Sequence, residues 1–221
     1  MSIRNPKQAL YEQFAAVAKA LGNPQRLELI EHLAQGPRSV DALAGKLGLP
    51  IANVSQHLQA MRRAGLVTSE RDGKFINYSL VDESVLAAFA AVRTVAERHS
   101  AEVERVVRVW FHRRDDMEPV SREELASRMN DGLVTVIDVR PADEFALGHL
   151  PGAINVPLSE LESRLPSFES GREIVAYCRG PWCVMSFEAV AELRKRGFSA
   201  RRLEDGLPEW KASGLAVKCN A

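Results

Sequence analysis

Apolar residues recur every three or four positions at Leu10, Phe14, Val17 and Leu21, a period that predicts a helix over 7–21. Asn23-Pro24 then supplies an N-cap and a proline at the first helical position. The second helix carries Leu27, Ile30 and Leu33 and stops at Gly36-Pro37. Ser39 caps a short third helix holding Val40, Leu43 and Leu47, and Gly48-Leu49-Pro50 is a tight turn. A fourth helix runs over 51–64 and ends at Gly65. The period then shortens. Residues 66–71 and 74–80 read as strands, with Asp72-Gly73 as the hairpin signal between them.

From Asp82 a long helix is predicted to about Arg114. Its apolar seam is Val85, Phe89, Val92, Ala96, His99, Val103, Val106 and Trp110, in alternating steps of four and three. A lone helix of that length needs a partner for its seam, so a homodimer through the first and last helices is expected. The polar run 115–119 marks a domain boundary, giving domains 1–116 and 117–221. In the second, strands over 134–138, 174–177 and 201–203 alternate with helical stretches. The fold class is therefore a mainly α winged helix-turn-helix followed by an open, parallel α/β sheet.

Composition refines this picture. Apolar residues are 46% and charged residues 26% of the chain, an ordinary globular mixture. No apolar run approaches the roughly 20 residues that span a bilayer, and residues 1–13 lack the core of a signal peptide. A cytoplasmic protein without membrane contact is expected. The zero net charge conceals an asymmetry: residues 1–116 hold 16 Lys/Arg against 13 Asp/Glu, and residues 117–221 hold 13 against 16. The basic half is a mild footprint for nucleic acid. All three cysteines, Cys178, Cys183 and Cys219, lie in the second half, where a reactive role is expected more than a disulfide scaffold.

On the fourth helix Val54, Leu58 and Met61 share one face and are expected in the core. Asn53, Ser55, Gln56, His57, Gln59, Arg62 and Arg63 lie on or beside the exposed face, with amides and hydroxyls suited to base edges and arginines to phosphate or guanine. Arg71 and Lys74 sit at the wing tip, placed for phosphate or minor groove. These stretches, with Leu-Gly-Asn-Pro-Gln-Arg-Leu at 21–27, Asn-Val-Ser-Gln-His-Leu at 53–58 and Ala-Gly-Leu-Val at 64–67, resemble the arsenic-repressor (ArsR/SmtB-type) regulators over about residues 7–114. The resemblance implies a homodimer on double-stranded operator DNA of dyad symmetry, with recognition helices in successive major grooves about 34 Å apart.

Relatives in that family sense metals, but this domain has no cysteine and holds Ser39-Val40-Asp41 where a thiolate pair would stand. Glu97, His99, His112 and Asp115 superficially suggest a zinc site on the last helix. Thirteen residues at 3.6 per turn rotate His112 by about 140° from His99, so the two do not share a face. No metal and no cofactor are expected.

The second half resembles the rhodanese-like domains. The residues that carry this are Asp138-Val139-Arg140 through Glu144, Gly148-His149, Pro151-Gly152-Ala153 and Asn155 to Pro157, and later Asp205-Gly206, Trp210 and Gly214. Asp205 stands where a second glycine is usual. Cys178 follows the apolar strand 174–177 and precedes a helix near Val184, at the strand-to-helix edge where α/β proteins bind ligands. Loop amides and a helix N-terminus stabilise a thiolate there, which can take up sulfane sulfur as a persulfide. The loop reads Cys178-Arg179-Gly180-Pro181-Trp182-Cys183. The resemblance implies Gly and Arg three and five positions after the cysteine; here stand Pro181 and Cys183. Arg179 is then a candidate anion contact, and Cys183 a candidate resolving thiol that yields a disulfide or sulfur bridge.

The leading expectation is a regulator, acting as a repressor, that senses small reactive sulfur species or redox state through Cys178 and Cys183. Cys178 would perform a sulfurtransferase half-reaction without efficient thiosulfate:cyanide turnover. The rivals are a sulfurtransferase tethered to DNA and an arsenite- or metal-responsive repressor. Cys219 is expected to be an exposed bystander.

Overall fold

The computed structural model describes residues 5–73, 75–169 and 171–219. They divide into two compact units, one ending at Val95 and the other beginning at Ala96.

The first unit opens with helix α1 (Pro6–Leu21), whose first turn is satisfied by Asn5 Oδ1 accepting from the Gln8 N–H at 3.1 Å. Leu10, Tyr11 and Phe14 of α1 stay more than half exposed. Helix α2 (Pro24–Leu33) begins on Asn23, as the Asn-Pro pair predicts. Strand β1 (Arg38–Ser39) leads into α3 (Val40–Leu47), with Ser39 Oγ as cap. Gly48 turns the chain at φ +64° into α4 (Ile51–Arg63). Strands β2 (Val67–Asp72) and β3 (Phe75–Leu80) form the wing, and β1 adds to β3 to give the antiparallel order β1-β3-β2. The alternation did not reveal β1, which is two residues long. Asp72 pairs with Phe75, so the hairpin turn is one residue later than Asp72-Gly73 suggests. Leu29, Ile30, Leu43, Val54, Leu58, Met61, Tyr78 and Val85 fill the core.

Helix α5 (Ser84–His99) enters that core through Val85. It does not continue to Arg114. Ser100 is extended, at φ −103° and ψ 109°, and its Oγ caps a new helix, α6 (Ala101–Val106), through the Val103 N–H. Val107–Phe111 then winds as a π-turn. The expected single seam is broken because a serine that can cap its own downstream N–H groups competes with helix continuation. Residues 96–116 group with the second unit, unlike the boundary drawn at 116.

The second unit continues with α7 (Arg122–Asn130), β4 (Val134–Asp138), α8 (Ala142–Leu147), β5 (Ile154–Asn155), α9 (Leu161–Arg164), β6 (Glu173–Cys178), α10 (Val184–Lys195), β7 (Ala200–Gly206) and α11 (Leu207–Ala212). The four strands are parallel in the order β5-β4-β6-β7. Side chains alternate across the sheet. Ile174, Ala176 and Cys178 face one core with Ala189, Val190 and Leu193, while Val175 and Tyr177 face the other with Leu125, Leu203 and Trp210. The polar stretch 115–119 is not a free linker: Asp115 is buried. No helix among the described residues is long and apolar enough to cross a membrane.

Candidate functional site

Cys178 is the last residue of β6, a central strand, at the edge where parallel strands give way to helices. Strand alternation turns it toward α10, and Cys183 occupies the N-cap of that helix. The two form a disulfide with Cα atoms 6.1 Å apart. Both residues are buried, at 1% and 6% exposure. The loop between them closes on itself: the Cys183 N–H donates to Gly180 O at 3.2 Å, and Ser186 Oγ donates to Cys183 O at 2.9 Å. Pro181 contributes no N–H. Cys219, exposed, lies apart from this pair, with its Sγ 3.2 Å from Leu147 O.

Polar anchors hold the loop. Arg179 donates from Nε and Nη2 to the two oxygens of Glu144, both at 2.8 Å. Glu144 is fully buried in the first turn of α8. The arginine proposed for an anion thus has two donors committed to a carboxylate. Glu144 belongs to the stretch that resembles rhodaneses, but no spacing rule pairs it with a residue 35 positions away.

Beneath this pair lies a second, fully buried one. Arg140 Nη2 meets Asp138 Oδ2 at 2.5 Å and donates to Gly148 O at 2.7 Å. Burial works against the Arg140 charge, but Asp138 offsets it, so the guanidinium is held above its ordinary range. Tyr177, which accepts the Leu150 N–H at 3.1 Å, has its phenol pushed well above its ordinary value by burial and then by the Asp138 charge. Asn155 Nδ2 ties Asp138 O and Arg140 O together at 3.1 and 2.9 Å.

Gly206 meets the loop from the end of β7. An added Cβ there would lie inside 3.0 Å of the backbone of Arg179 and Gly180. Its neighbour Asp205, at the position where the resemblance expects glycine, pairs with Arg122 at 2.9 Å.

Trp182 extends from the loop toward helical residues. Its Nε1–H donates to Glu97 Oε1 at 2.5 Å, and its ring packs edge-on to Phe111 at 5.0 Å and parallel to Phe187 at 6.2 Å. Asp115 seats the chain after Phe111 between Arg194 at 2.8 Å and Arg202 at 3.2 Å, and Arg202 stacks over Phe187 at 4.3 Å. Glu97 and Asp115, two of the four residues considered for zinc, are thereby engaged elsewhere. Sequence reasoning missed Phe111. The π-turn holds an extra residue, rotating the downstream residues by about 100°.

In the first unit Asn53, Gln56, Arg62 and Arg63 are exposed on α4, and Ser55 and His57 are half-buried. Gln59 turns inward, its Nε2 donating to Tyr78 Oη at 3.0 Å, and so joins α4 to the wing. Arg71 donates to Gly73 O at 3.1 Å at the hairpin turn. Lys74 lies outside the described residues.

A rhodanese-like domain model matches residues 121–213, and a helix-turn-helix domain model matches residues 21–70. The HTH-type transcriptional regulator Rv0324 of Mycobacterium tuberculosis is 43% identical over 211 residues, covering 96% of this chain and 92% of that protein. The HTH-type transcriptional regulator YgaV of Escherichia coli is 40% identical over 89 residues, covering 40% of this chain and 90% of that protein. A solved homodimeric winged helix-turn-helix domain from Mycobacterium bovis, described as from a possible ArsR-family regulator, is 38% identical and covers 46% of this chain and 94% of its own, with a TM-score of 0.42. With both domain models in chain order and one relative matched almost end to end, the chain belongs to the HTH-type transcriptional regulators and carries a rhodanese-like domain.

Proposed function

We propose that the protein is a homodimeric repressor that binds operator DNA and responds to reactive sulfur or redox state through Cys178 and Cys183. The observation that carries this reading is the placement of two cysteines, five residues apart and bonded to each other, at the ligand-binding edge of the parallel sheet. The exposed face of α4 carries Asn53, Gln56, Arg62 and Arg63 to bases and phosphates, with Ser55 and His57 beside them and Arg71 on the wing. Gln59 acts on DNA indirectly, by holding the wing. The apolar surfaces on α1 (Leu10, Phe14) and α5 (Val92, Val95) suit burial against a second copy.

The chemistry has two steps. The Cys178 thiolate attacks the outer sulfur of a small persulfide, forming Cys178–S–SH and releasing the donor as a thiolate. The Cys183 thiolate then attacks the inner sulfur of Cys178, forming the disulfide and expelling hydrosulfide. Both cysteines are covered when bonded, so the donor enters the reduced loop.

Anisotropy titrations on operator DNA test this. Reduced protein should bind at least fivefold more tightly than polysulfide-treated protein, within the usual range of allosteric coupling. Cys178→Ser and Cys183→Ser should each abolish the difference. Steady thiosulfate-to-cyanide turnover, with operator binding indifferent to Cys178→Ser, would instead establish a tethered sulfurtransferase. Release by arsenite but not polysulfide would establish the arsenite-responsive alternative.

A further inference from the structure

The helix that leaves the DNA-binding unit is interrupted once, at Ser100, between α5 and α6. The first N–H groups of α6 start a new helix there and lack the i−4 partners of a continuous one. Ser100 Oγ, 3.4 Å from the Val103 nitrogen, satisfies one of them. The angle between the two arms is therefore set by whatever holds both. Trp182 does so: its N–H grips Glu97 in the last turn of α5, and its ring packs on Phe111, beyond the break.

We propose that Trp182 is a clamp across the Ser100 break, and that the bond between Cys178 and Cys183 sets whether the clamp is closed. The inference rests on reading those cysteines as the switch. Trp182 is bonded directly to Cys183 in sequence. A dithiol reductant attacks one sulfur through a thiolate and is displaced as its own disulfide. Two electrons pass to the protein and two thiols form. Atoms that were bonded then stand at non-bonded separation, roughly 3.5–4 Å for heavy atoms. The N-cap end of α10 and β6 are both packed into the core, so the intervening loop takes up this displacement. Trp182 moves with it, the Trp182–Glu97 hydrogen bond is lost, and the arms become free to change angle. Trp182 is thus a positioning residue: it makes no contact with DNA or sulfur donor in this scheme.

The experiment is hydrogen exchange, read by mass spectrometry on the full chain without DNA, alongside operator anisotropy. The disulfide state is followed by mass in every sample. In the native protein, dithiol treatment should raise exchange across residues 97–111 at least fivefold. Trp182→Ala should exchange at that faster rate in both states, and its operator affinity should no longer depend on the disulfide. Trp182→Phe, which keeps a ring and loses the donor, should be intermediate, and Glu97→Gln, which keeps an acceptor, should stay close to native. The clamp is refuted if exchange over 97–111 ignores reduction, or if Trp182→Ala keeps the native difference. If exchange responds but operator affinity does not, the clamp stands and the regulatory reading fails. If affinity in Trp182→Ala still tracks the disulfide, the regulatory reading stands and the clamp fails.

Discussion

Replacing Gly206 by alanine should destabilise the second unit more than any other single-methyl change near the loop. The reason is space, not dihedral preference, because Gly206 sits at φ −122°, where any residue is comfortable. An alanine Cβ would fall inside 3.0 Å of Arg179 C, Gly180 N and Arg179 O. These are backbone atoms, and Arg179 is fastened to Glu144, so the obstacle has no flexible end to swing away. Overpacking costs about 1–3 kcal/mol in general, and a rigid obstacle puts this site near 2–3 kcal/mol. For a domain of this size that is a drop in Tm of roughly 8–20 °C. The assay is calorimetry of the full protein with the disulfide intact, following the transition of the second unit. The control is Asp205→Ala, one residue away. It gives up a partly exposed ion pair with Arg122 and should cost about 1 kcal/mol or less. A Gly206→Ala protein melting within about 2 °C of the native one would show that β7 and the loop separate easily, and the picture of a pinned loop would be wrong.

The buried polar groups give two more outcomes. Glu144→Ala strands the Arg179 guanidinium, whose side chain is 14% exposed, and should cost roughly 2–3 kcal/mol, below the 3–5 kcal/mol of a fully buried break because Arg179 can reach water; Glu144→Gln should cost less, and urea midpoints will rank the two. Tyr177 keeps its proton in the folded state beyond the pH at which an unfolded tyrosine loses it, so its contribution is fully present below about pH 10 and drains away as pH climbs toward its folded value. The unfolding free energy from urea titrations between pH 9 and 11 should therefore fall with a slope of up to about 1.4 kcal/mol per pH unit; an equal slope in Tyr177→Phe would refute the assignment.

The readable parts of this chain were those governed by local rules. Asn23-Pro24, Ser39 and Gly48 are helix punctuation with fixed chemistry, and each does in the structure what its residue type dictates. Val54, Leu58 and Met61 are buried because 3.6-residue periodicity leaves them no other face. Cys178 could be placed at a sheet edge because an apolar strand ends there. The hidden parts depended on contacts between distant residues or on ambiguous local choices. Ser100 has the same neighbours whether a helix continues or restarts, and the regular apolar seam argued for continuation. Once the chain restarts at Ser100 and winds through a π-turn, Phe111 rather than Trp110 meets the loop tryptophan. Asp115 read as part of a polar break because it sits in a run of charged residues; its partners, Arg194 and Arg202, are about eighty residues further on. Gln59 read as a base contact because helix position alone cannot show that a tyrosine hydroxyl waits on the wing.

The two departures of the loop from the rhodanese pattern act together. Cys183 stands at the helix start, so the bond to Cys178 joins the end of one packed element to the beginning of another. Neither end can travel far without disturbing the core that holds Ile174, Ala176, Ala189 and Val190. Any change in the linkage between the sulfurs therefore falls on the four residues in between. Arg179 is held by Glu144, Gly180 lies against Gly206, and Pro181 has its φ fixed by its ring. Trp182, whose hold on Glu97 and Phe111 is through its indole, is the residue left to take up the movement. A loop with a free-ranging glycine at 181 would spread the displacement over several residues; one with proline there concentrates it on the indole. Pro181→Gly should therefore weaken the link between disulfide state and hydrogen exchange at 97–111 while leaving the disulfide itself able to form.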